Sequence, residues 1–199
     1  MEEIGTIKNE HHSPKEAEIY AAAARLFCEK GFHATTMSEI ARSVGIQKAS
    51  LYHYVSGKDD LLLRTSQQGI LTLNRAVAEI VESDLPADEK LRRAFTAHIR
   101  VLCQNMDTMT VFLRERRALP TARRGAVLEE GKRYEQMIQQ ILRDGITSGR
   151  FRPVDVTMTS YAMLGAVNWL YQWFRADGRL SPEEIAGIFV GFFSRGLMP

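Results

Sequence analysis

Apolar residues recur at helical spacing along almost the whole chain, and no long stretch alternates apolar and polar side chains as a strand would. The first apolar stripe follows Ser13, a natural helix cap, with Pro14 at the first helical position and Glu16 at the third. This pattern predicts a first helix that runs from Pro14 to about Lys30. Its buried face is expected to consist of Ile19, Ala22, Ala23, Leu26 and Phe27.

Two short apolar segments follow, and a single glycine separates them. Thr36 and Glu39 have the spacing of a capping box, which starts a short helix. Gly45 stands where the end of that helix requires a left-handed residue, a conformation that glycine adopts at little cost. A second short helix is predicted from about residue 48 to residue 54. Two short helices around a glycine turn are typical of a helix-turn-helix, whose second helix enters the major groove of DNA.

The same periodicity, with Ser, Asp, Pro and Gly as start and stop signals, predicts six further helices. They cover about residues 58–81, 86–104, 106–118, 121–148, 155–176 and 181–196. We therefore predict an all-α protein of about nine helices. It would comprise a flexible tail at residues 1–12, a three-helix bundle with the helix-turn-helix at 13–60, and a larger helical domain at 61–199. The helix that begins at residue 58 would join the two domains mechanically.

Charge adds a local signal to this picture, although the formal net charge of +2 is close to neutral. No Asp or Glu occurs between Ile40 and Lys58, whereas Arg42 and Lys48 do. A surface that contacts phosphates has this distribution of charge. A mildly basic, solvated surface is the alternative.

The composition indicates few other kinds of chemistry. Cys28 and Cys103 lie far apart among apolar residues, so buried free thiols are favoured over a disulfide. The acidic N-terminus lacks an apolar run, and no segment approaches a membrane span, so we expect a cytoplasmic protein without membrane contact. No metal-ligand spacing is present, and no metal or cofactor is expected.

Residues 13–63 closely resemble the N-terminal signature of the TetR family of one-component repressors. The residues that carry the resemblance are A..LF.EKGF.ATTM.EIA...GI.KASLYHYV..KDDLL, beginning at Ala23. Gln47 departs from the pattern, because many members have Ser or Thr as the cap of the recognition helix. The resemblance implies an all-helical homodimer, with a DNA-binding domain that reads a palindromic operator and a larger domain that binds a small effector and forms the dimer.

Two segments nearer the C-terminus, residues 145–153 and 168–178, resemble the FadR-like branch of that family. Regulators of this branch sense acyl-CoA thioesters and control the breakdown of fatty acids or related lipids and steroids. The resemblance implies a repressor that an acyl-CoA effector releases from DNA. A few kcal/mol of differential affinity is the usual scale of such coupling.

The candidate DNA-binding residues lie on and around the second short helix. Leu51 and Val55 are spaced to point inward, which leaves their neighbours free to face DNA. Tyrosine hydroxyls can donate to phosphates, and a lysine can reach a base edge or a phosphate. A core position is the alternative for Tyr54, and simple solvation is the alternative for Lys58. The candidates are Thr36, Arg42, Gln47, Lys48, Ala49, Ser50, Tyr52, His53, Tyr54 and Lys58.

The last two predicted helices have more aromatic surface than one small domain normally covers, which favours an isologous dimer interface. Such a dimer would place its two recognition helices roughly 34–36 Å apart. Packing within a monomer core is the alternative. The candidate interface residues are Trp173, Phe174, Ile185, Ile188, Phe189 and Phe192.

The candidate effector site combines methionine-rich apolar positions with a short arginine-rich segment. Flexible thioethers suit an acyl chain, and arginines suit the phosphates of coenzyme A. An ordinary core and a solvated, salt-bridged helix junction are the respective alternatives. The candidates are Met106, Met109, Phe112, Leu113, Arg116, Arg117, Arg124, Tyr134, Met137, Ile141, Met163, Asn168 and Trp169.

Two other functions remain open from the sequence. An efflux-type repressor that senses lipophilic drugs would keep the DNA-binding role, but the candidate lining has no acidic residue for a cationic drug. An enzyme that acts on acyl-CoA is less favoured, because no nucleophile–base pair or glycine-rich phosphate loop is present.

Overall fold

The computed structural model describes residues 13–198, and within this range the chain forms helices and connecting turns with no strand. The all-α prediction is confirmed. The predicted tail at residues 1–12 lies outside the described residues. The α-helices are α1 (Pro14–Lys30), α2 (Met37–Ser43), α3 (Lys48–Leu51), α4 (Lys58–Glu82), α5 (Ala87–Gln104), α6 (Met106–Thr110), α7 (Thr121–Thr147), α8 (Val156–Asn168), α9 (Leu170–Trp173) and α10 (Pro182–Leu197).

Three helices begin at capping boxes, as the sequence predicts. Ser13, Thr36 and Ser181 cap α1, α2 and α10. Each hydroxyl accepts a hydrogen bond from the backbone N–H of a glutamate three residues on, and the carboxylate of that glutamate accepts one from the N–H of the cap. These bonds satisfy N–H groups that a helix leaves without partners at its start, which is why the starts are encoded locally.

The segment after α6 differs from the single helix expected at 106–118. Val111–Glu115 form a π-helical turn and Arg116–Ala118 a 3₁₀ turn. Leu119 is then extended, with φ −63° and ψ 136°. Pro120 explains this ending, since a proline disfavours the helical conformation for the residue before it.

The described residues form two compact units. The first contains residues 13–71 and 105–130, and the second contains residues 72–104 and 131–198. The helices α4 and α7 each contribute to both units. This grouping differs from the sequence-based division after residue 60, because α6 and the turns that follow it belong with the N-terminal helices.

The first unit packs α1, α4 and the α6 segment closely together. Phe27 of α1 contacts Phe32 edge-on, with ring centroids 5.3 Å apart. Gly69 of α4 faces the α6 segment, where a Cβ atom at this glycine would lie 3.1 Å from Cβ of Phe112 and 3.5 Å from Cγ2 of Thr108. An alanine at Gly69 would therefore require α4 or this segment to shift by a few tenths of an ångström.

The second unit has a largely apolar core built on α5, α7, α8 and α10. Phe95 of α5 packs against Phe193 of α10, with ring centroids 5.1 Å apart. The ring of Phe151 covers Gly145 so closely that a Cβ atom at this glycine would overlap it, at 2.0 Å. Cys28 in the first unit and Cys103 in the second are free and half-buried. No helix in the described part of the chain is long and apolar enough to span a membrane.

Candidate nucleic-acid interface and effector unit

The turn between α2 and α3 is fixed by glycine. Gly45 has φ +69°, in the left-handed region. Its N–H donates to Arg42 O at 3.2 Å, and the N–H of Ile46 donates to Ala41 O at 3.0 Å. These two bonds form the Schellman arrangement, which closes α2 and sets the direction in which α3 leaves.

The recognition helix is shorter than predicted, since α3 ends at Leu51 and single turns continue to residue 54. Leu51 and Val55 are buried, as their spacing predicts. Tyr52 is 49% exposed, and Tyr54 also faces solvent, which removes the alternative of a core position for Tyr54. Gln47 caps the helix without a side-chain hydrogen bond. The exposed candidates are Thr36, Arg42, Gln47, Lys48, Ala49, Tyr52, His53 and Tyr54, and Ser50 is half-buried.

The structure gives Lys58 a role that differs from the expected phosphate contact. Its ammonium donates to the carbonyl oxygens of Phe32, His33 and Thr35 at 3.0, 3.2 and 2.9 Å. It also lies 4.5 Å from the centroid of the Phe32 ring. A lysine ammonium has three N–H donors, so all three are engaged within the protein. These carbonyls, rather than a phosphate, stabilise the positive charge at the start of α4, and we exclude Lys58 from the DNA contacts.

Charged side chains also hold α1 and α2 together. Lys30 pairs with Glu39 at 2.7 Å. The hydrogen bond from Lys30, together with those from the backbone and hydroxyl of Thr36, lowers the pKa of Glu39 to about 2. The ammonium of Lys15 donates to Val44 O at 2.8 Å, next to the glycine turn. Surface charges therefore fix the helix-turn-helix on its supporting helix.

The arginine-rich segment does not act as one cluster. The guanidinium of Arg114 donates to the carbonyl oxygens of Phe27 and Cys28 at 2.9 and 2.8 Å. That of Arg116 lies 4.9 Å from the centroid of the Phe112 ring. Arg124 donates to the hydroxyl of Thr121 at 3.2 Å, and Arg117 is exposed. The contacts of Arg114 link residues 86 and 87 positions apart, so local sequence spacing cannot reveal them.

The candidate effector residues are divided between the two units. In the first unit, Met109 and Phe112 are buried, and Met106, Leu113 and Arg116 are half-buried. In the second unit, Tyr134, Ile141 and Met163 are buried, Met137 and Asn168 are half-buried, and Trp169 is exposed.

Within residues 13–198, no three His, Cys, Asp or Glu side chains are grouped so that they could hold a metal ion.

A buried polar network in the second unit centres on His98, which the sequence does not single out as functional. His98 is 1% exposed. Its Nδ1 lies 2.8 Å from the Tyr134 hydroxyl, and its Nε2 lies 3.1 Å from Oδ1 of Asn168. Burial lowers the pKa of His98 to about 4, against the effect of the hydrogen bond with Asn168. The imidazole is therefore neutral at pH 7, with Nε2 donating to Asn168 and Nδ1 accepting from Tyr134.

The chemistry of Cys103 also argues against a role as a nucleophile. Burial, and to a lesser degree the charge of Glu183, raises the pKa of its thiol to about 12. A thiol with this pKa is protonated at neutral pH, and the thiolate is the reactive form.

Both α8 and α10 expose large apolar side chains. On α10, Ile188 is 59% exposed and Phe192 is 75% exposed, beside Gly187 and Gly191. Met158, Tyr161 and Trp169 are exposed on and directly after α8, and the sequence pattern did not indicate the first two. Trp173 is exposed, and Phe174 and Phe189 are half-buried.

One of the expected interface residues lies elsewhere. Ile185 is 3% exposed and belongs to the core of the second unit, as does Phe193. Ile185, Phe189 and Phe193 are spaced by four residues; Ile185 and Phe193 are buried on the inner side of α10, and Phe189 is half-buried at its margin. Ile188 and Phe192 follow the outer side of α10, so the expected interface residues of α10 lie on two different sides of the helix.

Comparison with known proteins places the chain in a family. Residues 19–65 match the model of bacterial regulatory proteins of the tetR family, and residues 84–197 match the tetracyclin repressor-like C-terminal domain. The chain belongs to the tetR family. This membership confirms the resemblance found in the N-terminal signature, and it confirms that the protein is a DNA-binding transcriptional regulator rather than an enzyme.

Several relatives of this tetR-family regulator span nearly its whole length. The repressor KstR2 of Mycobacterium tuberculosis is 26% identical over 186 residues, which are 92% of each chain. The TetR family regulator PfmR of Thermus thermophilus is 34% identical, with a TM-score of 0.85 over 91% of this chain and 99% of that chain. AibR, in a crystal structure with isovaleryl coenzyme A and operator DNA, is 31% identical, with a TM-score of 0.82 over 89% of this chain and 97% of that chain.

Proposed function

We propose that this regulator is a homodimeric repressor that binds a palindromic operator and is released by an acyl-CoA. The genes that it controls would serve the breakdown of fatty acids or of related lipids and steroids. The main support for an acyl-CoA as the effector is the similarity to AibR, which binds isovaleryl coenzyme A and operator DNA in one complex. The similarity to KstR2 of Mycobacterium tuberculosis, a ketosteroid transcriptional regulator of known structure, supports the class of genes.

The proposed reading surface is the exposed side of α3 and the turns around it. Lys48 and Tyr52 lie on this surface, while Leu51 and Val55 anchor it to the core. Side-chain donors at these positions can reach base edges and phosphates, as in other helix-turn-helix proteins. The full set of proposed contacts is Thr36, Arg42, Gln47, Lys48, Ala49, Ser50, Tyr52, His53 and Tyr54.

The proposed dimer surface is the exposed apolar side of α8 and α10. Phe192 and Ile188 expose large apolar side chains, and the adjacent Gly187 and Gly191 leave room for a second helix to approach closely. A two-fold axis at this surface would pair α8 and α10 with their copies in a four-helix contact. Trp173, with Phe174 and Phe189 at its edge, completes the proposed surface.

The proposed effector contacts are the methionine-rich and arginine-rich candidates. Methionine and aromatic side chains would contact the acyl chain, and Arg116, Arg117 and Arg124 would contact the phosphates of coenzyme A. Helix α4 begins in the first unit and ends in the second. We propose that effector binding shifts α4 and so changes the spacing of the two recognition helices.

The proposal is tested on a DNA fragment selected from a random-sequence library by repeated rounds of binding to the protein. The fragment is labelled, and its complex is titrated with free coenzyme A, isovaleryl-CoA, oleoyl-CoA and the lipophilic cation ethidium, with release followed by fluorescence anisotropy. We expect release by one or both acyl-CoAs and not by coenzyme A alone. Release by ethidium alone would instead identify an efflux-type repressor, and stability of the complex to all four probes would reject the acyl-CoA effector.

A further inference from the structure

Two basic side chains donate hydrogen bonds to the backbone of one corner of the first unit, which contains the helix-turn-helix and is called the DNA-binding unit below. This corner, which we call the α1–α2 corner, comprises residues 27–35, from the last turn of α1 to the residue before the cap of α2. Lys58 of α4 donates to three of its carbonyl oxygens. Arg114, in the π-helical turn, donates to two others, those of Phe27 and Cys28. The corner is therefore tied to two different helical segments.

The position of Arg114 matches the electrostatics of the corner. The carbonyl groups at the C-terminal end of a helix have partial negative charge, so a cation there is stabilising. The guanidinium reaches two of them in the last turn of α1, and its Nε also donates to the carboxylate of Glu115 at 2.9 Å. Glu115 thereby orients the fork of Arg114 toward α1.

This contact depends on the π-helical turn Val111–Glu115. A π turn contains one more residue than an α turn, and such turns are frequent at functional sites. Arg114 is the fourth of the five residues of this turn, so a change to α-helical geometry would rotate its side chain around the helix axis by up to about 100°, the angle per residue of an α-helix. Arg114 would then leave the carbonyl groups of α1.

The α6 segment is also packed against α4. Gly69 of α4 lies against Phe112 and Thr108, so closely that an added Cβ atom would lie 3.1 Å from Cβ of Phe112. A displacement of residues 106–115 therefore reaches the corner by two routes, through Arg114 directly and through α4 and Lys58. The corner in turn supports α2, since the single hydroxyl proton of buried Thr35 is shared between the carbonyl oxygens of Leu26 and Gly31, at 3.1 and 2.9 Å.

We infer that Arg114 is a positioning residue for operator binding: it ties the α6 segment to the last turn of α1 and so sets the orientation of the helix-turn-helix. This inference rests on the proposed function, because it concerns the regulation of the same DNA-binding surface. It predicts that loss of the guanidinium loosens the α1–α2 corner and weakens operator binding, although Arg114 itself contacts no DNA.

The test compares Arg114→Met with Arg114→Lys and with the control Arg133→Met in the full-length protein. Methionine keeps an apolar stem without donors, whereas lysine keeps a cation that can reach one carbonyl. Arg133 is exposed on α7, so its replacement removes the same charge away from the corner. Each variant is measured by hydrogen–deuterium exchange of peptides that cover residues 27–36, by thermal melting and by anisotropy with the selected operator fragment.

We expect Arg114→Met to speed exchange at the corner by about tenfold, which is local opening rather than global unfolding. We expect its operator affinity to fall by about tenfold, the range of a typical coupling between sites. Arg114→Lys should restore part of both, and Arg133→Met should match the wild type. If Arg114→Met melts too low for study, the difference between Arg114→Lys and the wild type carries the same prediction with a smaller amplitude.

Two results would overturn the inference. One is corner exchange in Arg114→Met that equals that of Arg133→Met. The other is weaker operator binding without any change in exchange, which would show that Arg114 acts on DNA directly. The exchange measurement needs neither DNA nor effector, so a failure of the proposed function, seen as a wild-type protein that selects no operator, is recognised separately.

Discussion

The two units of the molecule hold their functional parts in place by opposite means. In the first unit, the charged side chains of Lys58, Arg114 and Lys15 end on backbone carbonyl groups near the surface. In the second, neutral His98 and Tyr134 form a network inside an apolar core. The surface hydrogen bonds of the first unit can be rearranged at little cost, because water can replace them. The buried hydrogen bonds of the second unit are costly to break, because their polar groups would be left without partners away from water. The DNA-binding unit is thus the more adjustable of the two.

The largest effect on stability is expected in the second unit, from Gly145→Ala. The new Cβ atom would overlap the buried ring of Phe151, which must leave its site. Overpacking of this kind costs about 3 kcal/mol at the upper end of the usual range. The free energy of unfolding in urea measures this cost.

Gly131→Ala is the matched control in the same helix, because a Cβ atom there would meet no other atom within 4 Å. It should stabilise the protein by up to about 1 kcal/mol, since alanine favours a helix more than glycine does. Equal stability of the two variants would show that the contact between Gly145 and Phe151 does not hold α7 in place.

The starts of the helices show which features local sequence can encode. The starts of α1, α2 and α10 were predicted correctly because a capping box involves residues only three positions apart. The glycine turn at Gly45 was predicted for the same reason. The π-helical turn at Val111–Glu115 was not, because it contacts Gly69 and α1, and contacts between residues distant in sequence leave no mark on the periodicity.

The candidate sites show the same limit. The inward positions Leu51 and Val55 follow from local spacing, so the exposed side of α3 was predictable. The contacts of Arg114, and those of His98 with Tyr134 and Asn168, join residues far apart in sequence, and a single sequence does not indicate such pairs. Ile185 was assigned to the dimer interface, although it lies in the core, because both sides of α10 are apolar.

A second prediction concerns pH and the buried network. The pKa of His98 is about 4 in the folded protein, below the ordinary value of about 6.5. As the pH falls through 6.5, the unfolded chain therefore binds a proton at this residue that the folded protein does not. Stability should decrease between pH 6.5 and pH 4, by about 3 kcal/mol in total from this residue.

The comparison is made with His98→Gln, which keeps an amide donor and acceptor but does not titrate. Urea unfolding of both proteins at pH 7, 6 and 5 isolates the contribution of His98, because all other groups are shared. We expect a shallower dependence on pH in the variant. Parallel curves would mean that His98 binds its proton equally well in the folded protein, which the buried network does not allow.

A smaller effect is expected in the first unit from Lys58→Met. The variant removes three hydrogen bonds from a cation to the carbonyl groups of the α1–α2 corner. Because the ammonium is near the surface and water can replace part of these bonds, we expect a loss of about 1–2 kcal/mol in the free energy of unfolding. Lys132→Met, at an exposed position of α7, is the control. If the two variants unfold at the same urea concentration, the corner does not depend on Lys58. A contact with a DNA phosphate would then be the better explanation of a lysine at the start of α4.

The central claim is that the exposed side of α3 reads the operator, and Tyr52 tests it most directly. Tyr52 is half exposed and has no role in the core, so Tyr52→Ala should leave the melting temperature unchanged. The measurement is operator affinity by fluorescence anisotropy for the wild type, Tyr52→Ala and Tyr52→Phe, with the last removing the hydroxyl alone. We predict that Tyr52→Ala abolishes specific binding and that Tyr52→Phe weakens it to an intermediate degree. A Tyr52→Ala protein that binds the operator with wild-type affinity would contradict the assignment of this surface.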